Sequence, residues 1–310
     1  DETCTFDAPT RVVQLCGANP TVLADAARLV VRRTSGQIFG IDLNLGCPKD
    51  CAKKGGYGAF LVDRDVDLAS KCVAAMCEAV HPIPVSCKIR IAEDDENDAT
   101  SSCDATINVA LRMQKAGARW ITLHCRKRND ETRSTLPNYA LGANVVKALS
   151  IPVVLNGGID SVQKARMVLK QTGCFAVMAA TSFLADPFFL TNPPAGMKRC
   201  SGEIANCYLD YCELYTPPSA LYMRRHFRWI FRSELQPDTK EELDLSTLYQ
   251  DWRPRLWTFL VRPYLVNLKQ FRAVVSLYLH LSGKLAVSED DENSPPPTFR
   301  DIKALANSSS

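Results

Sequence analysis

No stretch of this sequence comes near the ~20 consecutive apolar residues that span a bilayer, and no signal-peptide pattern stands at its start. Neither sign of charge is in excess. There are 37 Lys and Arg against 34 Asp and Glu, and a formal net charge of +3 is too small to argue for nucleic acid by itself. If RNA binds, local clusters must do it. The thirteen cysteines contain no C-x-x-C pair, the nearest couples being Cys47/Cys51, Cys72/Cys77 and Cys207/Cys212. An odd total at irregular spacing argues against a zinc site or a disulfide scaffold, and for reduced thiols that behave as small apolar side chains. The expectation is therefore no metal, no membrane contact and a cytoplasmic location, with the nucleus as a second compartment. The chain starts at Asp1 rather than Met, which suggests a fragment, a processed product or an incomplete gene model.

What the sequence has is alternation. Short apolar runs occur at Val12–Cys16, Ile38–Asn44, Pro84–Ile89, Trp120–His124, Pro152–Asn156 and Phe175–Met178. Helical patterns lie between them, at Thr21–Arg33, Val66–Val80, Thr106–Ala116, Ala143–Leu149 and Val162–Gln171. Brief strands followed by longer helices indicate βα units and a parallel sheet. An open doubly wound sheet is satisfied with six strands, whereas a closed (β/α)₈ barrel needs eight. Yet polar residues sit at the C-terminal ends of nearly every strand: Gln14, Asn44, Lys88, His124 and Asn156. An open sheet concentrates its ligand contacts at one switch point, so this distribution fits a barrel mouth better. Beyond Pro193-Pro194 the pattern reads as helices, at Ile204–Leu214, Ala220–Leu235 and Thr258–Leu281. The acidic, proline-rich and serine-rich stretch from Ser288 to Ser310 reads as a disordered tail.

The most informative segment is Asp42-Leu43-Asn44-Leu45-Gly46-Cys47-Pro48, continued by Lys53-Lys54-Gly55-Gly56-Tyr57-Gly58-Ala59-Phe60-Leu61. A strand ends in a polar residue, and Gly46 and Pro48 fix the backbone on both sides of a thiol. Closely spaced glycines then allow a close approach to a ligand. A cysteine at the C-terminal end of a barrel strand is placed for chemistry, although an isolated one is more often a small buried apolar residue.

The N-x-G-C-P and K-x-G-x-G-A-x-L pattern resembles the tRNA-dihydrouridine synthase family. The resemblance continues through Val13–Pro20, Cys87–Arg90, Leu123–Arg126, Pro152–Ile159 and Val177–Ala180, and covers residues 10 to about 285. Tyr57–Leu61 and Tyr215–Pro218 are most similar to the eukaryotic subgroup acting on D-loop uridines 16 and 17. The resemblance implies a (β/α)₈ TIM-type barrel followed by an all-helical domain. Gln14 falls on the family's third barrel strand, so the first two βα units, roughly 60 residues, have no counterpart here. The implied organisation is a partial FMN-binding barrel over 1–195, a helical tRNA-binding domain over 196–285 and a tail over 286–310. Two readings compete: an incomplete sequence of a normal enzyme, or a genuine short form that binds tRNA weakly and catalyses nothing.

The implied reaction reduces uridine to 5,6-dihydrouridine with FMN, recharged by NADPH or NADH. Cys47 corresponds to the catalytic cysteine. A thiol with an ordinary pKa near 8.5 is largely protonated at neutral pH, so it can act as general acid at C5 of uracil. Gln14, Lys88 and His124 are implied flavin contacts, and Asn156, Gly157 and Gly158 should face the ribityl-phosphate end. Many flavin barrels hold the phosphate with a Gly-Arg pair after the last strand. Here Ala179-Ala180 leaves backbone N–H groups without side-chain charge.

For tRNA, the candidates are Asn44, Lys53 and Lys54 by the cysteine loop, Arg126, Lys127 and Arg128 after a strand, and Arg224, Arg225 and Arg228 at helix spacing. An ordinary solvated basic face competes with that reading of the last group. An FMN barrel acting on a free pyrimidine, such as a dihydroorotate dehydrogenase-like enzyme, is a further alternative. The Gly-Cys-Pro loop and the helical appendage argue against it. A monomer is expected.

Overall fold

A computed structural model describes residues 10–93, 101–130, 135–189, 199–236, 252–261, 265–283 and 298–305. The chain forms two compact units, Asp1–Ala179 and Ala180–Ser310, dividing earlier than the boundary at 195 that the sequence pattern suggests.

The first unit is a run of βα steps. It begins with β1 (Val12–Leu15), α1 (Pro20–Arg33) and β2 (Gly40–Leu45). Two short helices, α2 (Asp50–Gly55) and α3 (Ala59–Arg64), precede α4 (Val66–Val80). There follow β3 (Val85–Arg90), α5 (Ser102–Lys115), β4 (Ile121–His124), α6 (Tyr139–Ala148), β5 (Val153–Asn156), α7 (Val162–Thr172) and β6 (Ala176–Met178). All neighbouring strands are parallel, and their spatial order is their chain order. That order decides between the two architectures weighed above. A doubly wound sheet reverses direction at a switch point; here nothing reverses. Right-handed crossovers that always step the same way lay every helix on one face. Accordingly α1 packs on α4, α4 on α5, α5 on α6 and α6 on α7, as staves of a barrel wall do.

The helix starts are set locally. Asn19, Asp65, Ser101, Asn138 and Ser161 each accept a hydrogen bond from a first-turn backbone N–H. Each such cap is worth about 1 kcal/mol. Side-chain alternation then splits the sheet into two chemically different faces. Ile41, Leu43 and Leu45, Val85, Cys87 and Ile89, Ile121 and Leu123, and Val153 and Leu155 are buried in the core with Val73, Met76, Met113, Val145 and Val168 of the helices. Burying each large aliphatic contributes about 1.5–3 kcal/mol. The intervening residues point the other way. They include Gln14, Asp42, Asn44, Ser86, Lys88, Arg90, Thr122, His124 and Asn156.

The second unit is helical: α8 (Thr181–Ala185), α9 (Ser201–Leu214), α10 (Ala220–Ile230), α11 (Arg232–Leu235), α12 (Trp252–Val261), α13 (Leu268–Leu281) and α14 (Phe299–Ala304). Its core is aromatic. Phe227 meets Phe271 edge-on with centroids 4.8 Å apart, and Phe231 meets Tyr278 in the same way at 4.8 Å.

Two expectations are corrected here. The segment Thr258–Leu281 is not one helix: α12 ends at Val261 and α13 begins at Leu268. A proline follows at position 263, which lacks the N–H and has the wrong shape for a helix interior. The tail is not wholly without structure either. Thr298 caps α14 in a capping box with Asp301. Ile302 is fully buried, and Gln270 Nε2 donates to the Ile302 carbonyl at 2.9 Å. The rest of the tail, 286–297 and 306–310, lies outside the described residues.

Gln270 is itself fully buried, and its Oε1 accepts from Val266 N at 2.8 Å. Replacing it by Leu keeps the volume and removes both bonds. Gln270→Leu should lower the urea-unfolding free energy of the chain by about 1–3 kcal/mol. A loss under about 0.5 kcal/mol would show that α14 does not dock as described.

Candidate active site

The strands deliver their C-terminal ends, and the following helices their N-termini, to one edge of the sheet. The Cys47 loop springs from that edge. Asn44 Oδ1 accepts from both Gly46 N (3.1 Å) and Cys47 N (3.0 Å), which turns the chain sharply out of β2. On the other side Ala59 N donates to the Cys47 carbonyl at 3.2 Å. Gly58 has φ +66°, and a Cβ there would stand 2.8 Å from Cys47 O and 3.0 Å from its Cβ. The glycine is required twice over, by its dihedral and by the closeness of the cysteine. Cys47, half-buried, is thus gripped by two segments.

Next to it the polar face is dominated by cations. Lys88, Arg90 and Arg126 gather there, while Asp42 is the one carboxylate among the described strand residues. Arg90 ties two loops together. Its Nε donates to Gly46 O at 2.8 Å and its Nη1 to Lys127 O at 2.9 Å. Burial depresses the Lys88 pKa to about 8; the Arg90 charge adds to that effect and Asp42 opposes it. No hydrogen bond to its ammonium is found among the described residues. Burial raises the Asp42 pKa, against hydrogen bonds from Ser86 and Gln14 and the charge of Lys88. His124 is buried, and its pKa falls to about 3, through burial first and then the charges of Arg90, Lys88 and Arg126. A neutral imidazole agrees with its geometry: Nε2 lies 3.3 Å from Arg126 Nη1, a group that can only donate.

Asn156 commits its side-chain nitrogen to Met178 O at 2.8 Å, pinning the end of β6. Gly157 has φ +114°, and a Cβ there would lie 2.8 Å from His124 Cδ2, while Tyr139 Oη donates to Gly157 O at 2.5 Å. Gly158, also at positive φ, is exposed. Ala179 and Ala180 follow β6 directly.

The structure therefore brings Gln14, Asn44, Cys47, Lys88, His124, Asn156 and Gly157 together on one polar face and its rim. It distributes the basic candidates differently. Arg126 is buried, with Nε donating to Thr135 O at 2.7 Å. Arg128 pairs with Asp63 at 2.6 Å and lies 4.7 Å over the Phe60 ring. The Lys127 amide donates to Asp130 at 2.7 Å. Lys53 and Lys54, at the end of α2, are exposed. In the helical unit, Arg224 Nη1 donates to Leu265 O at 2.7 Å, whereas Arg225 and Arg228 are exposed. Asp42, Ser86, Arg90 and Tyr139 belong to the site and were not singled out from the sequence. For the first three a signal existed, since Asp42-Leu43-Asn44 and Ser86-Cys87-Lys88-Ile89-Arg90 alternate polar and apolar.

A pH dependence follows from His124. Its folded pKa lies below the ordinary 6.5, so the unfolded chain binds the proton first and stability is lost as pH falls through the window from 6.5 towards 3. Between pH 7 and pH 5 this one group should remove about 2 kcal/mol of unfolding free energy. In His124→Gln that acid limb should flatten, as measured by urea unfolding at the two pH values. An unchanged limb would mean that His124 is protonated in the folded protein.

Among known proteins, the family model described as dihydrouridine synthase matches residues 2–215. A mouse (Mus musculus) tRNA-dihydrouridine(16/17) synthase [NAD(P)(+)]-like protein is 31% identical over 247 residues, covering 78% of this chain and 47% of its own length. The tRNA-dihydrouridine synthase B of Xanthomonas campestris is 34% identical over 212 residues, 68% of this chain and 57% of that protein. A human (Homo sapiens) tRNA-dihydrouridine(20a/20b) synthase [NAD(P)+]-like protein is 33% identical over 239 residues, 76% of this chain and 68% of its own length. The chain spans about half the length of the first two relatives. The family match takes in the whole polar face, the Cys47 loop and the strands that carry them, and on that ground the chain belongs to the dihydrouridine synthase family.

Proposed function

We propose that this chain carries the active-site half of an FMN-dependent enzyme that reduces uridine to 5,6-dihydrouridine in the D-loop of tRNA, using NADPH or NADH. The observation that supports it best is the placement of a doubly gripped thiol, Cys47, at the rim of a face whose ionised groups are mostly cationic. Such a face suits an anionic, acceptor-rich ligand. The half-buried Lys88 ammonium, with no hydrogen-bond partner among the described residues, is the specific point of fit. FMN carries a phosphate, ring carbonyl oxygens and, when reduced, a negative ring.

In this reading Lys88 and Gln14 face the ring, and the neutral His124 donates or accepts beside it without adding charge. The backbone N–H groups of Gly157, Gly158 and Ala179 would take the phosphate end, where amides substitute for a basic side chain. FMN held there would supply hydride chemistry at C6 of uracil, with a nicotinamide as its source of electrons. The chain's own chemistry is the proton. Cys47 Sγ–H gives it to C5. Asn44 and Gly58 keep the thiol from swinging away while the C5=C6 bond changes geometry. Of the basic candidates singled out from the sequence, Lys53, Lys54, Arg225 and Arg228 are the exposed ones offered to RNA, Arg225 lying 5.9 Å from the Tyr222 ring.

Cys47→Ala in the complete enzyme should slow dihydrouridine formation by about 10²–10⁴-fold, the usual contribution of a general acid, with FMN content and tRNA affinity retained. Dihydrouridine yield on unmodified tRNA, with flavin absorbance as control, checks this; a wild-type rate would remove Cys47 from the mechanism. Replacing Arg225 and Arg228 by Gln should weaken tRNA binding and reduce its log–log salt slope by roughly 0.7–0.9 per lost phosphate contact. Unaltered affinity and slope would mean that α10 does not touch RNA.

A further inference from the structure

Four side chains form a single hydrogen-bonded line from the middle of the sheet to the cysteine. Ser86 Oγ donates to Asp42 Oδ1 at 2.6 Å, and Gln14 Nε2 donates to Asp42 Oδ2 at 2.7 Å. Asn44 Nδ2 donates to Gln14 Oε1 at 3.0 Å. The Asn44 Oδ1 that remains accepts from Gly46 N and Cys47 N. Strand pairing sets the line up, because Gln14 is in register with Asp42, and Asp42 with Ser86.

The two ends of the line are chemically opposite. A carboxylate receiving one donor at each oxygen is an acceptor only, so Gln14 must turn its nitrogen towards Asp42 and its oxygen towards Asn44. Backbone N–H groups are donors only, so Asn44 must turn its oxygen towards Cys47 and its nitrogen towards Gln14. Both constraints demand the same orientation of two amides that could otherwise flip. Asp42 is buried, at 6% exposure, so water does not compete for the role.

We propose that Asp42 is a positioning residue which, through Gln14 and Asn44, sets the hydrogen-bond polarity that holds the Cys47 backbone and presents its thiol. The proposal rests on the reading of Cys47 as the reactive thiol of the site. The same polarity fixes what Gln14 offers to anything bound on the face: its remaining N–H and its remaining lone pair each have one assigned direction.

The test uses isosteric changes whose effects differ in sign. Gln14→Glu places an acceptor opposite the Asp42 carboxylate and should disrupt the line. Asp42→Asn alone should be mild, because Ser86 can accept instead of donate. The double variant Gln14→Glu with Asp42→Asn exchanges the positions of carboxylate and amide. It again offers Asn44 Nδ2 an acceptor and should restore the line. Amide exchange at Gly46 and Cys47, followed by mass spectrometry on the whole chain, reads the last two hydrogen bonds directly. Iodoacetamide labelling of Cys47, referred to Cys207 in the other unit, reads the thiol. Gln14→Glu should accelerate exchange at both amides more than tenfold and change the Cys47 labelling rate by a similar factor. Asp42→Asn and the double variant should stay within about threefold of the parent.

A purely volumetric role predicts additive effects, so a double variant at least as disturbed as Gln14→Glu overturns the proposal. If Gln14→Glu does not fold but the double variant does, the rescue itself supports the line; if neither folds, the proposal fails. Uridine reduction is not a readout here. A wild-type rate in Cys47→Ala would defeat the functional reading and leave the exchange result standing as evidence on the line.

Discussion

A parallel sheet whose strands follow one another in chain order cannot be covered on both faces by its own crossovers. Right-handed connections that always advance in the same direction place α1, α4, α5, α6 and α7 on one side. The side chains on that side can be apolar without exception, and Leu43, Cys87, Leu123 and Leu155 are. The opposite side receives none of these crossover helices among the described residues, and its residues are free to be polar. The site on this chain is a consequence of that asymmetry. Each strand contributes at least one residue to the uncovered face, at a spacing of two, and parallel register places Asn44 beside Lys88 and Arg90 beside His124.

Crowding cations on such a face has electrostatic results that no single residue announces. Lys88 and His124 are shifted downward by the same two causes, loss of water and proximity of like charge. One remains a cation near neutral pH and the other is kept neutral. A face can therefore supply both a positive charge and an uncharged donor–acceptor from residues whose ordinary chemistry is basic. Asp42 modulates this from beneath. It opposes the depression of Lys88 while its oxygens are taken up by Ser86 and Gln14.

Much of the fold was legible because its signals are local. The helix α4 coincides with the apolar periodicity from Val66 to Val80, and the Asp65 cap explains why it starts there. The strands were visible as apolar runs, but reading them as continuous runs obscured the alternation within them. Asp42 and Ser86 were not assigned to the site for that reason: each sits between apolar residues, Ile41 and Leu43 or Val85 and Cys87, and looks like an interruption. The merged helix at Thr258–Leu281 came from letting periodicity override a proline. The helix at Phe299–Ala304 was hidden by composition. A short capped turn that buries one isoleucine does not shift the character of an acidic, proline-rich segment. Cys47 and the strand-end residues were found because a motif, unlike a packing contact, survives reduction to one dimension.

The basic residues show where such reduction fails. Arg126, Arg128 and Arg224 carry the same charge and the same five donors as Arg225 and Arg228, and the sequence offers no reason to separate them. What separates them is whether an acceptor lies within reach. Thr135 O takes Arg126, Leu265 O takes Arg224, and Asp63 with the Phe60 ring takes Arg128. A guanidinium donating to a backbone carbonyl is anchored there, so reaching a phosphate beyond that anchor would leave the carbonyl unpaired, at a cost of about 1–3 kcal/mol where the carbonyl is buried. That is comparable with what a charged hydrogen bond returns. Arginines of this kind hold loops together, and only those without an internal acceptor keep their charge for a partner.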